Sequence, residues 1–191
     1  MFVDITTLSW EQNDASDSTF ESPDFPEFTG PLFCSVDGTL EGHKRYFPHM
    51  SSLLENQYDT HLNTGNDYLV EKLPFAEREI NMRLLARDNN LNAGGFSYAN
   101  VQFFVAGDAG PFRVTSQAVT WEVGTTETVS WDVANTDDPV GVNSAVVDIY
   151  LSIDGGENFD IVLAEAVAND GAHDIVVPAV SYTHLTLPTK A

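Results

Sequence analysis

Apolar and polar side chains alternate cleanly along residues 79–88, with Ile80, Met82, Leu84 and Ala86 on one face and Asn81, Arg83 and Arg87 on the other. A period of two sends successive side chains to opposite sides of an extended chain, so this stretch predicts a half-buried β-strand. The same spacing recurs in Val101, Phe103 and Val105, in Val129, Trp131 and Val133, and in Val147, Ile149, Leu151 and Ile153. It returns in Phe159, Ile161 and Leu163, and again in Ile175 and Val177. Residues 1–12 read as a short strand carrying Val3, Ile5, Leu8 and Trp10, and the apolar run 31–36 reads as another. Only residues 50–57, where Leu53 and Leu54 fall on one turn, predict helix. Residues 13–30, 58–74 and 89–95 read as loops.

Turn chemistry punctuates these strands. Asp154-Gly155-Gly156 separates two of them, since Asp bonds amides two residues on and Gly reaches positive φ without steric cost. Asn169-Asp170-Gly171 makes the next turn, and the stretch 107–111 breaks the pattern, giving a domain boundary. Short strands with turn signals every ~8–12 residues predict an all-β fold built as β-sandwiches. The boundaries follow as 1–107 and 108–180.

Charge narrows the partners. Eight Lys and Arg against 29 Asp and Glu give a net charge of −21. Such a surface repels phosphate backbones and anionic membranes, so neither nucleic acid nor membrane insertion is expected. The single cysteine, Cys34, excludes an intrachain disulfide, and its apolar surroundings predict a buried thiol. No run approaches the ~18 apolar residues of a membrane span. The opening Met1-Phe2-Val3-Asp4-Ile5 has neither a basic nor an apolar signal region, so the export signal of an exported protein is expected outside these residues. Residues 181–191 depart from the acidic style of the rest. They are similar to a translated sequencing-adapter peptide and are read as a non-native tail.

Two likenesses follow. Ser152-Ile153-Asp154-Gly155-Gly156-Glu157-Asn158-Phe159 resembles the Asp-box of sialidase-type secreted β-proteins, a turn device distant from reacting atoms. In order along the chain stand Trp10-Glu11-Gln12, Arg45-Tyr46-Phe47-Pro48, Arg87-Asp88-Asn89 with Gly94-Gly95, Gly110-Pro111-Phe112, residues 128–134, and residues 151–159. Together they resemble the region C-terminal to the catalytic domain in secreted bacterial zinc metallopeptidases of the reprolysin-like class. The resemblance implies two consecutive immunoglobulin- or fibronectin type III-like modules, the first incomplete at its N-terminus and the second at its C-terminus. It implies secretion or a cell-surface location, with the absent protease domain and protein substrates as partners. It implies zinc only in that absent domain.

The family's zinc site needs His-Glu-x-x-His on a helix, which sets two imidazoles on one face beside a carboxylate. None of His43, His49, His61, His173 and His184 has that spacing, so no catalytic or cofactor-binding residue is carried over. Nothing matches Gly-x-Ser-x-Gly either. The expected function is a non-catalytic spacer and interaction segment; the alternative is a calcium-stiffened surface adhesin. Asp88 and Asn90 in one loop, and Asp154 and Glu157 in another, are the hard oxygen ligands that calcium would use. Turn capping accounts for the same residues, so no metal is assigned. Trp10, Trp121 and Trp131 could stack on sugars, but Trp131 shares a face with Val129 and Val133, which favours core packing. Tyr46, Phe47 and Phe112 read as anchors at module junctions.

Overall fold

A computed structural model of the protein describes residues 6–15, 30–40, 43–58, 71–90, 93–116, 120–179 and 189–190. Residues 1–5 of the expected first strand, most of the expected loop 13–30 and most of the expected loop 58–74 lie outside them. Two compact units emerge: Met1–His49 with Tyr58–Gly107, and Met50–Gln57 with Asp108–Ala191. Among the described residues all strand pairing is antiparallel and there is one short helix.

The first unit is built on β1 (Thr7–Gln12), β2 (Arg78–Arg87) and β3 (Phe96–Val105), in sheet order β1-β2-β3. Alternation along β2 buries Ile80 and Met82 on one face, where Leu32 and Phe33 complete the core. Trp10, Phe47, Leu73 and Val105 pack around them. Residues 31–36 form no strand, which corrects the expectation drawn from their apolar run. The amides of Leu32 and Phe33 instead donate to Oε1 of Gln12, at 2.6 and 3.0 Å. A side chain has taken the donors that a ladder would need. At the open end of the β2–β3 pair, a Cβ on Gly107 would lie 2.5 Å from the Glu77 nitrogen, so only glycine allows this approach.

The second unit carries α1 (Met50–Leu54), β4 (Arg113–Val114), β5 (Thr126–Asp132), β6 (Val146–Leu151), β7 (Ile161–Ala168), β8 (Ala172–Val176) and β9 (Thr189–Lys190). They form two sheets, β4-β5-β8 and β7-β6-β9. One core draws on both: Val129 and Trp131 from β5, Val147, Ile149 and Leu151 from β6, Ile175 from β8, and Val177. Fully burying one such side chain stabilises the fold by roughly 1.5–3 kcal/mol over leaving it exposed. β9 lies in the stretch read as an adapter-like tail, and its backbone pairs with Asp148 and Ile149. Between β6 and β7 the register shifts; Ala166 adopts φ 50°, and its amide donates to Oδ1 of Asp148 at 2.7 Å. An extra residue opposite one partner is a β-bulge, here closed by a carboxylate.

Candidate functional site

The loop between β6 and β7 holds the Asp-box-like sequence, and its hydrogen bonds run inward. Ser152 is fully buried; its hydroxyl donates to Oδ1 of Asp154 (2.7 Å) and accepts the Gly156 amide (2.8 Å). Asp154 Oδ1 also accepts the Asn158 amide at 2.9 Å, and Oδ2 accepts Nδ2 of the same residue at 2.7 Å. The Asn158 amide, then the Ser152 hydroxyl and the Asn158 side chain, hold the Asp154 carboxyl at about 2, below its ordinary 3.8. Gly156 has φ 88°, and a Cβ there would meet Met50 Cγ of α1 at 2.8 Å. The turn is thus seated against α1 within the second unit. Glu157 is exposed and makes none of these bonds.

Asp88 does the same work at the β2–β3 connection. Its Oδ1 accepts the amides of Asn90 (3.1 Å) and Gly95 (2.8 Å), which lower its pKa, the Asn90 amide most. Asn90 turns its own Oδ1 to the Ala93 amide at 3.4 Å. Asp88, Asn90 and Asp154, the oxygen donors proposed for calcium, therefore each cap a loop. Among the described residues, no group of three or more His, Cys, Asp or Glu side chains gathers where it could hold a metal ion. No helix is long and apolar enough to cross a membrane among those residues.

The most buried ion pair among the described residues was not foreseen. Arg45 and Glu71 form an ion pair with side-chain exposures of 8% and 1%. Glu71 Oε1 also accepts the Cys34 amide at 3.3 Å, and the His49 backbone bonds the same carboxylate. Arg45 Nη1 donates to the Trp10 carbonyl at 3.1 Å, and the guanidinium lies 4.5 Å from the Phe47 ring centre. Burial pushes the Glu71 carboxyl above its ordinary range, while Arg45 and the two backbone donors pull it back. A shifted buried carboxyl can mark a reacting group. Here the donors come from the segments around residues 34, 45 and 49, so Glu71 ties loops to the sheet. Cys34 is half-buried, not buried as expected.

Arg78 forms a second knot, donating to the Gly30 carbonyl at 2.8 Å and facing Asp14 Oδ2 at 3.6 Å. Asp14 accepts Asn81 Nδ2 (2.7 Å) and Gln12 Nε2 (2.6 Å). Glu71 and Asp14 sit in stretches that read as polar loops, and nothing in their spacing distinguishes them from solvated carboxylates.

The tryptophans resolve individually. Trp131 is buried, and its Nε1 donates to Asn169 Oδ1 at 2.8 Å. Asn169 Nδ2 in turn donates to Thr136 Oγ1 (3.0 Å) and the Ser144 carbonyl (2.8 Å). Trp10 packs on the core of the first unit and Trp121 on that of the second. Phe47 packs against Phe33 at 4.7 Å in the first unit, and Phe112 stacks at 6.4 Å on Trp131 in the second. Asp138 accepts the Val140 amide at 2.9 Å, making the 137–139 stretch a turn. No family model, curated protein or solved structure matches the chain.

Proposed function

We propose that this chain is a non-catalytic spacer and protein-interaction segment, belonging to an exported bacterial zinc metallopeptidase. The observation that carries the spacer reading is where Asp88 and Asp154 spend their carboxylates: both cap turns between strands. Residues set to hold loop shape suit a part whose task is mechanical. The antiparallel strands and a core shared by two sheets support reading the second unit as an immunoglobulin- or fibronectin type III-like sandwich. The metallopeptidase parentage rests on the ordered motifs from Trp10 to Phe159, and bond cleavage is assigned to polypeptide outside this sequence.

The test reads the coding DNA on the 5′ side of the Met1 codon. An in-frame His-Glu-x-x-His helix is the expected result. An array of adhesin repeats there overturns the parentage, and peptide hydrolysis by the purified chain, freed of contaminating enzymes, overturns the non-catalytic role.

A further inference from the structure

The free edge of β3 has a property that the spacer reading does not use. The Asp88 amide donates to the Gly95 carbonyl at 3.1 Å, just outside the β2–β3 ladder. Antiparallel bonding alternates, so the amides and carbonyls of Phe96, Tyr98, Asn100, Gln102 and Phe104 point away from β2. The far side of β2 agrees, because the Asn13 amide donates to the Asn81 carbonyl there. No described residue bonds to that outward row. Phe96 and Phe104 are 71% and 60% exposed, and Tyr98, Val101 and Phe103 are exposed as well.

Sheet edges in soluble proteins are ordinarily blunted by charge, proline or a bulge. β3 has ten residues, none of them charged, proline or glycine, in a chain with net charge −21. We propose that β3 is a self-association edge whose occupant is β3 of a second copy, joined antiparallel about a two-fold axis at Asn100. The outward row is centred on Asn100, so this register pairs all five residues. Phe96 faces the partner's Phe104, Tyr98 faces the partner's Gln102, and Asn100 faces the partner's Asn100. Aromatic residues then meet at both ends of the seam, a favourable cross-strand pairing. On the other face, Ala99 faces the partner's Val101 and Ser97 faces the partner's Phe103.

A second copy fits better than a charged peptide because the strip offers no charge to complement. It also lets two acidic molecules meet where neither carries a carboxylate. Growth stops at the dimer: the opposite edge of the sheet is bridged, with Leu8 and Thr39 exchanging backbone bonds of 2.8 and 3.0 Å. The contact is isologous and closed. The proposal stands independently of the metallopeptidase parentage.

Sedimentation equilibrium of the full chain tests it. A dimer is expected, with affinity that rises with salt as repulsion between the copies is screened. Phe96→Glu with Phe104→Glu sets like charges at both facing pairs and is expected to weaken the dimer by about tenfold or more. Phe96→Lys with Phe104→Glu sets opposite charges at those pairs and is expected to restore association. Both side chains are exposed, and unchanged circular dichroism checks that each variant folds. A wild-type chain that stays monomeric at about 100 μM overturns the proposal and leaves the edge to another occupant. So does association that responds equally to both double variants, or that continues past the dimer.

Discussion

Asp154 sits in a ring of donors from its own turn, two amide hydrogens on Asn158 and the Ser152 hydroxyl. Each bond favours the charged carboxylate, so protonation costs the folded state more than the unfolded one. The folded pKa is about 2 against an ordinary 3.8, a depressed value. Its contribution to stability is therefore present above about pH 4 and is lost as pH falls through 2. In an acid titration followed by NMR, the Asn158 backbone amide is expected to shift with a midpoint near 2. A midpoint near 4 would mean that the ring does not hold the charge. Glu71 carries the opposite sign: burial raises its pKa, so the contribution it makes below the ordinary 4.5 is lost as pH rises through its folded value. Two carboxylates on one chain thus answer acid in opposite directions. The difference lies in burial, because Asp154 is exposed and bonded while Glu71 is enclosed.

Turns make the same point at the scale of elements. The Thr136 amide donates to the Val133 carbonyl at 3.0 Å, closing a turn in which Ala134 and Asn135 have φ 48° and 61°. Positive φ at both central positions is the type I′ pattern, which favours Asn and Gly. Ala134 pays a left-handed cost of roughly 1–2 kcal/mol, against the ~0.5–1 kcal/mol of extra chain entropy that glycine loses on folding. Ala134→Gly keeps the bond from its amide to Asp132 Oδ1 and is expected to stabilise the protein by about 0.5–1 kcal/mol in urea melts. A lowered midpoint would show that the Ala134 side chain contributes more than its backbone costs. Strands β5 and β6 were legible in the sequence because their alternation coincides with burial; in β2 it does so at Ile80 and Met82 only, since Leu84 and Ala86 are half-buried and Leu85 on the other face is buried. β3 shows the limit: Val101, Phe103 and Val105 alternate correctly, yet the strand lies at an edge with Val101 and Phe103 exposed. Periodicity reports which way a side chain points, not what covers it. The run 31–36 fails for the converse reason, since burial of Leu32 and Phe33 came without strand pairing. Of the candidate ligands, the turn roles of Asp88 and Asp154 were readable from Asx and glycine chemistry. The Arg45–Glu71 pair was not, because distant segments bring it together and leave no local pattern.

The whole molecule must hold 29 acidic groups against 8 basic ones. Of the few cations, Arg45 and Arg78 are committed to buried carboxylates, and Arg87 and Arg113 face Glu11 and Asp132 at 3.5 and 3.6 Å. That leaves a surface dominated by carboxylates repelling one another over distances that salt shortens, with a Debye length of about 8 Å at physiological ionic strength. Self-repulsion is worse in the compact state than in the extended chain, so screening favours folding. The melting temperature is expected to rise with sodium chloride up to about 0.5 M, where the Debye length falls below about 5 Å. Calcium chloride separates diffuse screening from a specific site. If Asp88 and Asp154 are committed to their turns, calcium at matched ionic strength acts only as a divalent counter-ion, and Asp154→Asn leaves its effect unchanged. A saturable calcium-dependent rise at millimolar concentration, abolished by Asp154→Asn or Asp88→Asn, would instead assign those loops to metal. It would move the reading from spacer to calcium-stiffened adhesin. The comparison of melting temperatures is decisive because bulk screening grows smoothly with salt, whereas a site of oxygen ligands saturates.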